Sequence, residues 1–401
     1  MKTRSTRKPE GRDNDAPDFS GASLSMYTGK RILITGAGGS IGSQLVKQLI
    51  HLAPEKIAAL DRDVNALSEL EQDVNLRRSS IYLQSFVADV RDAGRLSSIC
   101  QSFCPQVIFH AAAYDHVSLP EMHPCEAILG NVLGTENLLN IAAGFGVERL
   151  IFISSVNAVN PVSVSGATKR IGEMLFHSAA KVGRIRTASV RLGSVLGSRC
   201  CVIPLFQRQI LHGGPVTITH PDIARYFISM RRAIQLILCA GGEAKEGEIY
   251  IPEMGKPRKI QELAKDLILL SNADFEKEIT IQITGLRPGE KLVQEVSSKS
   301  EKLESARFGG LFTVHPSAVN ERTFRASVSQ LIQSARCSDN DSIYRILASM
   351  ALGFTHVPQR RSIDLESLHS RAETESSHED RSSISAELSR AVAAGTSGSP
   401  L

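Results

Sequence analysis

RILITGAGGSIG, from Arg31 to Gly42, is a short apolar run that ends in a glycine-rich turn and passes at once into the amphipathic stretch SQLVKQLIHL. An apolar run of this kind reads as a parallel strand buried on both faces, and the stretch behind it as the returning helix. Gly36, Gly39 and Gly42 permit a tight turn, close approach of a pyrophosphate and close packing of helix on strand, with the helix N-terminus aimed at the anion. Thr35, Ser40 and Ile41 complete the loop expected to touch the phosphates. Asp61 closes the next apolar run, KIAALD, about 20 residues on, where a carboxylate accepts hydrogen bonds from an adenine ribose. Its negative charge repels a 2′-phosphate and favours NAD; Arg62 beside it could instead pair with that phosphate and admit NADP.

Outward from this unit, apolar runs keep alternating with amphipathic ones: IYLQSFVAD then GRLSSICQSF, QVIFHAAA then ENLLNIAAGFG, and then ERLIFIS. This is the pattern of an α/β, Rossmann-type doubly wound parallel sheet. Asp89 and Val90, after the third run, are placed to meet the adenine, or Asp89 caps the next helix. Ala111 follows the fourth run on the same side. Shorter mixed elements (VTIT, RRAIQLILCA, GEIYIPE, IQELAKDLILL, EITIQIT) are expected to build a smaller C-terminal substrate-binding lobe on the edge of the sheet. The expected organisation is a disordered arm over 1–28, a main domain over 29–296, a partly helical extension over 297–356 and a Ser-rich disordered tail over 357–401.

The chain has 401 residues, 42% of them hydrophobic and 22% charged, with a formal charge of +4. That length suits a large buried core and excludes small disulfide scaffolds. Basic and acidic residues are interspersed, so no footprint for nucleic acid or an anionic membrane is present. No apolar run approaches the ~18 residues that span a bilayer, and the N-terminus lacks the apolar region of a secretory signal. The seven cysteines, Cys100, Cys104, Cys125, Cys200, Cys201, Cys239 and Cys337, show no CxxC pair and no framework spacing. They read as reduced, mostly buried thiols of a cytoplasmic protein, with no metal site expected.

Several segments together carry a resemblance: LDRDVNALSELEQ, AAAYDHVSLPE, GNVLGTENLL, AVNPVSVSGATKR, GSVLGSRCCVIPLF, GGPVTITHPDIARYFISM and GLRPGEKLVQEV. The stretch from about Lys30 to Val296 resembles the UDP-N-acetylhexosamine 4,6-dehydratase family of polysaccharide biosynthesis, within the extended short-chain dehydrogenases/reductases. The resemblance implies an enzyme that holds NAD(P) tightly and acts on a UDP-sugar, removing a hydride from C4 and a proton from C5, with the hydride returning to C6 as its hydroxyl leaves. It also implies a homo-oligomer. Residue by residue, it implies that Lys169 holds the nicotinamide ribose, Ser155 bonds near the sugar and Asn131 lies on the substrate side, buttressing the helix of Lys169. Thr217 and Thr219 match positions near the uracil, and Arg225 and Arg287 match positions around the diphosphate. Ser194 stands where an Asn is usual.

The sequence departs from that family where protons move. Val156 and Asn157 occupy the acidic and lysine positions after Ser155, Ser165 takes the place of Tyr or Met, and Asp115 the place of a Lys. Neither Val nor Asn transfers a proton at neutral pH. Two readings follow. In one, an enzyme keeps its cofactor and nucleotide-sugar sites, and Asp115, with His116, replaces the missing base for oxidation at C4 or epimerisation. In the other, a catalytically inactive paralogue binds a nucleotide sugar and acts through a partner. A plain alcohol dehydrogenase fits less well, because Ser165 removes the Tyr of its Tyr-to-Lys pair.

Overall fold

The computed structural model describes residues 24–77, 81–115, 117–183, 185–199, 201–271, 279–306, 309–316 and 319–355. The expected tail, most of the expected arm, His116 and Cys200 lie outside the described residues.

The apolar runs become strands β1 (Arg31–Thr35), β2 (Lys56–Asp61), β3 (Tyr82–Val87), β4 (Val107–His110), β5 (Arg149–Ser155), β6 (Arg186–Leu192) and β7 (Glu246–Pro252), followed by the short β8 (Glu304–Ser305) and β9 (Leu311–Val314). They form one nine-stranded sheet in the order β3-β2-β1-β4-β5-β6-β7-β9-β8. β3 through β7 run parallel, while at the far edge β9 is antiparallel to β7 and β8 antiparallel to β9. The 3-2-1-4-5-6 order is that of a doubly wound sheet, whose ligands bind beyond the C-terminal ends of the strands where the order reverses, here between β1 and β4. Ile32, Leu33 and Ile34 of β1, and Val107, Ile108 and Phe109 of β4, have no solvent exposure, as a strand covered on both faces requires.

Helices cover the two faces. Leu45, Val46 and Leu49 of α1 (Ser40–Leu49) and Leu67, Leu70 and Val74 of α2 (Val64–Leu76) pack on one side. The other side carries Leu96 and Ile99 of α3 (Ala93–Phe103), Leu138 and Ala142 of α4 (Gly134–Gly144), and Ile171 and Leu175 of α5 (Val164–Lys181). Two segments expected in the smaller lobe belong instead to this main body. GEIYIP is β7, and RRAIQLILCA lies in α6 (Met230–Glu243), whose Leu236, Ile237 and Ala240 join α1 and α2. β7 is apolar enough to be covered on both faces, and the apolar stripe of α6 needs the sheet, while Arg231 stays exposed. The lobe itself is smaller: helices Val202–Leu211 and Ile260–Leu270 enclose Phe206, Ile210, Val216, Ile218, Ile223, Ile260, Ala264 and Ile279. After β9, α7 (Glu321–Arg336) and α8 (Asn340–Ser349) pack over the segment 124–133 and add Phe324, Val328, Leu331, Ile343 and Leu347 to the core shared by α3 to α5.

The arm expected over 1–28 does not extend to Tyr27. That side chain is fully buried against Phe109, and its hydroxyl donates to Leu238 O at 2.7 Å. Of the cysteines, Cys100, Cys201 and Cys239 are buried, but Cys104 and Cys337 are exposed.

One cluster of charges inside the core fixes α5. Arg191, on β6 with 0% exposure, donates Nε to Glu173 Oε1 (3.0 Å) and Nη2 to Glu173 Oε2 (2.9 Å). It also reaches Glu301 at 3.0 and 3.1 Å and Val296 O at 2.9 Å. All five guanidinium N–H groups are thereby satisfied. Arg170 bonds both carboxylates, at 3.0 and 2.7 Å, so two cations balance two anions. Ser154 Oγ donates to Glu173 Oε1 at 2.7 Å, tying the end of β5 to the same cluster. Burial works against the charge of Glu301, but Arg191 and Arg170 outweigh it and hold the carboxyl at about 2. Removing one member of a buried ion cluster strands the others. Replacing Arg191 with Met is therefore expected to lower unfolding free energy by about 3–5 kcal/mol in urea titration. The wild-type protein should also lose stability as pH falls from about 4.5 toward about 2, because the unfolded chain protonates Glu301 before the folded one does.

Candidate active site

The turn after β1 packs against neighbouring backbone too closely for side chains. A Cβ added at Gly36 would lie 2.5 Å from Ala112 N, and one at Gly42 only 2.1 Å from Gly36 O. Gly36 also has φ +69°, which favours glycine. Gly39 is the N-cap of α1, no side chain caps the helix, and its first turn carries no acidic residue. The N–H groups of that turn are thus open to an anion from outside the helix. Ser40 Oγ accepts from Arg199 N at 3.0 Å, which brings Arg199 to the rim.

Beyond the turn lies a cleft of about 260 Å³ lined by Gly36, Gly38, Gly39, Asp61, Arg62, Asp89, Val90, Ala111, Tyr114, Asn131 and Arg199, among others. Gly38 N donates to Asp61 Oδ2 at 2.9 Å and Asp63 N to Oδ1 at 3.0 Å, so the Asp61 carboxylate has a fixed orientation. Asp89 accepts from Arg91 at 2.7 and 3.0 Å through the side chain and at 2.9 Å through the backbone. Partial burial would raise its carboxyl, but these Arg91 bonds and charge outweigh it and hold it below the usual range. The cap of α3 is Asp92, whose side chain accepts from Arg95 N. Ile41 is half-buried on α1.

Thr35 does not offer its hydroxyl to the cleft. It is fully buried, with Oγ1 2.7 Å from His110 Nδ1. His110 Nε2 lies 2.9 Å from Thr135 Oγ1, which itself donates to Asn131 O at 2.5 Å. A hydroxyl has one proton, so Thr135 must accept from Nε2–H. Burial, seconded by the Lys169 charge, pushes the His110 pKa down to about 3, so the ring is neutral with its proton on Nε2 and Nδ1 accepts from Thr35.

Asn131 continues the chain. Its Oδ1 accepts from Tyr114 N (2.7 Å), and its Nδ2 donates to Tyr114 O (3.1 Å) and to Thr168 Oγ1 (2.9 Å) on α5. It lines the cleft and, as the resemblance implies, buttresses the helix of Lys169, joining it to the loop after β4. Ser165 Oγ donates to the same Tyr114 O at 3.4 Å. Glu121, buried and thereby raised above the usual carboxyl range, accepts from Val164 N at the start of α5. Lys169 is buried, donates to Ile153 O at 2.8 Å and lies 5.2 Å from the centre of the Phe152 ring. Ser155 Oγ accepts from Asn157 N at 3.2 Å, and Asp115 is exposed on the loop after β4.

Of the residues expected for the sugar and nucleotide, Asn131 lines the cleft, whereas Ser155, Ser194, Thr217, Thr219, Arg225 and Arg287 lie outside its lining. Ser194 pairs with Phe227 in a short parallel ladder. Thr217 exchanges bonds with Gln209 at 2.7 and 3.0 Å, and Thr219 is half-buried just beyond it. Arg225 donates to Ala224 O at 2.9 Å and to Glu290 at 3.3 Å; burial lowers its pKa, with Glu290 opposing. Arg287 is exposed, and its backbone N–H meets the other Glu290 oxygen at 3.1 Å.

The family described as polysaccharide biosynthesis protein matches residues 32–316. The chain belongs to that family. It is 42% identical over 309 residues to the capsular polysaccharide biosynthesis protein CapD of Staphylococcus aureus, covering 77% of this chain and 49% of that protein. It is 33% identical over 301 residues to a UDP-N-acetylglucosamine 4,6-dehydratase (inverting) of Campylobacter jejuni, covering 73% and 84%. Pen from Bacillus thuringiensis superposes with a TM-score of 0.67 at 27% identity, covering 76% of this chain and 98% of that one. The Thermus thermophilus UDP-glucose 4-epimerase, solved with NAD, shares the fold at a TM-score of 0.58 and 22% identity, covering 67% and 90%. The chain spans about half the length of CapD and of a Bacillus subtilis relative. No helix among the described residues is long and apolar enough to cross a membrane.

In this member of the polysaccharide biosynthesis family, Val156 has no solvent exposure, and Asn157 Oδ1 accepts from Gln294 at 3.2 Å. Tyr114, Glu121, Glu173, Arg191 and Arg199 all shape the site and escaped the sequence reading; all but Glu173 and Arg191 lie in quoted motif segments. As a check on the hydrogen-bonded chain, imidazole NMR should show His110 neutral, protonated on Nε2, between about pH 5 and 8. Because the unfolded imidazole titrates near 6.5 and the folded one near 3, acidification through that window should destabilise the protein by up to about 1.4 kcal/mol per pH unit on this account. His110→Phe should remove that contribution.

Proposed function

We propose that this chain is an NAD(P)-dependent nucleotide-sugar modifying enzyme of polysaccharide biosynthesis, with NAD preferred and a UDP-sugar as substrate. The observation that carries the reading is the side-chain-free cradle at the start of α1, with an oriented Asp61 across the same cleft. The residues present fit a dinucleotide. Gly36, Gly39 and the first-turn amides take the pyrophosphate with Ser40 and Ile41 beside them, Asp61 the adenine ribose, and Asp89, Val90 and Ala111 the adenine side. Thr35 and Gly42 act behind this surface, Thr35 on His110 and Gly42 by letting α1 close on the turn. Lys169, held by Ile153 O, presents its ammonium to the nicotinamide ribose.

A bound nicotinamide dinucleotide supplies reversible hydride exchange with a sugar carbon. The chain's own part is to bind, orient and move protons. Ser155 bonds near the sugar, Thr217 and Thr219 flank the base, Arg225 and Arg287 meet the diphosphate with Ser194 nearby, and Glu290 must yield to that anion. Arginine suits phosphate because its planar fork makes charge-assisted bidentate bonds. Val156 and Asn157 offer no base, and the Ser165 hydroxyl is engaged with Tyr114 O. Asp115, exposed on the loop that Asn131 positions, takes the proton of the C4 hydroxyl. The relatives named as a dehydratase and an epimerase support this class of chemistry.

Proton NMR of UDP-N-acetylglucosamine with NAD and the protein in deuterated buffer checks the proposal. A C4 epimer, or a product that has exchanged its C5 proton, is expected; an unaltered sugar that nonetheless binds would point to the inactive nucleotide-sugar receptor instead. Asp115→Asn should reduce turnover by roughly 10²–10⁴-fold while NAD still binds. Unchanged turnover would remove Asp115 from the role of base.

A further inference from the structure

Tyr114 is held more firmly than a cleft-lining aromatic needs to be. Its backbone N–H and C=O are both bonded by Asn131, at 2.7 and 3.1 Å. Its ring lies against Gly130, where an added Cβ would come within 2.5 Å of Cε2. Gly130 and Asn131 belong to a π-helical turn, Ile128–Leu133, that enters α4. Such turns are uncommon and gather at functional sites.

The ring so placed captures Arg62. The guanidinium carbon sits 4.6 Å from the Tyr114 ring centre, and Nη1 donates to the Tyr114 hydroxyl. The same nitrogen is 3.9 Å from an Asp89 carboxylate oxygen. Arg62 follows Asp61, whose carboxylate is fixed in the cleft by Gly38 N. One residue able to pair with a ribose 2′-phosphate is thus adjacent to one that repels it, and the former is already engaged across the cleft.

We infer that Tyr114 sets the discrimination between NAD and NADP, by stacking and hydrogen bonding that hold Arg62 away from the 2′-phosphate position and leave Asp61 to govern the ribose. The inference rests on the dinucleotide reading of the cleft. With Tyr114 present, a 2′-phosphate meets the Asp61 carboxylate, while the guanidinium that would compensate is bound to a ring and a hydroxyl. Without the ring, Arg62 is released to make charge-assisted bonds to the phosphate.

Calorimetric binding of ADP-ribose and of its 2′-phosphorylated form separates the ideas without any turnover. Wild type should bind ADP-ribose at least about tenfold more tightly than the phosphorylated form, since one charge-assisted hydrogen bond changes affinity by roughly that factor or more. Tyr114→Leu should tighten the phosphorylated ligand by about tenfold, Tyr114→Phe by less because the stacking surface remains, and adding Arg62→Met to Tyr114→Leu should abolish the gain. A Tyr114→Leu protein that binds ADP-ribose but shows no tightening of the phosphorylated form overturns the inference and leaves the dinucleotide site standing. A wild-type protein that binds both ligands equally also overturns it. Failure of the folded wild type to bind either ligand would defeat the dinucleotide reading itself, and this inference with it.

Discussion

A single neutral imidazole holds the ends of the central strands in register with the helix beside them. His110 is the last residue of β4, at the point where the strand order reverses, and no water reaches it. Its two nitrogens see opposite demands: one must accept from Thr35 at the end of β1, the other must donate to Thr135 on α4. From Thr135 the chain passes to the Asn131 carbonyl, and the Asn131 side chain passes on to Tyr114 and Thr168. A buried polar group left without its partner costs about 1–3 kcal/mol, so these bonds are mutually enforcing. The loop that carries Tyr114 and Asp115, and the helix that carries Lys169, inherit their positions from this chain.

The other side of α5 is fixed by charge. Glu173 lies one turn beyond Lys169 and shares Arg191 with Glu301, from a segment far along the sequence. Such a cluster is weak evidence for net stability, since desolvation offsets much of the attraction, but its loss on one side strands charge on the other. The return of β9 and β8 to the edge of the sheet flanks the segment that carries Glu301, so the residues after 296 help to set the site. A helix gripped by hydrogen bonds at its first turns and by ion pairs one turn later can position Lys169 and Ser165 without a bound ligand. Under the proposed function the binding groups are therefore preorganised, while Val156, Asn157 and Ser165 stand where the family resemblance implies proton-transfer residues.

The sequence made the half of the molecule around the glycine turn legible because its constraints are local. Gly36 needs a positive φ, Gly42 needs contact with Gly36 O, and both sit between an apolar strand and an amphipathic helix. The parallel sheet was equally plain from uninterrupted runs such as VIFH and RLIFIS. What stayed hidden depends on contacts between distant residues. Arg191 in TASVRL looks like the outward residue of a strand, and only Glu173 and Glu301 reveal why it is inside. Tyr27 lies in a polar stretch that composition marks as an arm, yet a distant carbonyl, Leu238 O, gives its hydroxyl a buried partner. Asn131 was expected to buttress the helix of Lys169, and it bonds Thr168 there, but its two bonds to the Tyr114 backbone have no local signature. Similarity of fold does not by itself transmit chemistry.

The claim on which the rest stands is that the glycine turn before α1 is a phosphate cradle. Calorimetric titration with NAD of the wild type and of Gly39→Val tests it most directly. A Cβ at Gly39 makes one tight contact, with Gly36 O at 3.1 Å, against 2.5 Å or less at Gly36 and Gly42, and the position has extended φ and ψ (−73° and 169°), so Gly39 is the least strained of the three at which a side chain would cover the open amides. The account predicts one NAD per wild-type chain and loss of binding in a folded Gly39→Val protein. NAD bound equally by both, or by neither, would contradict it.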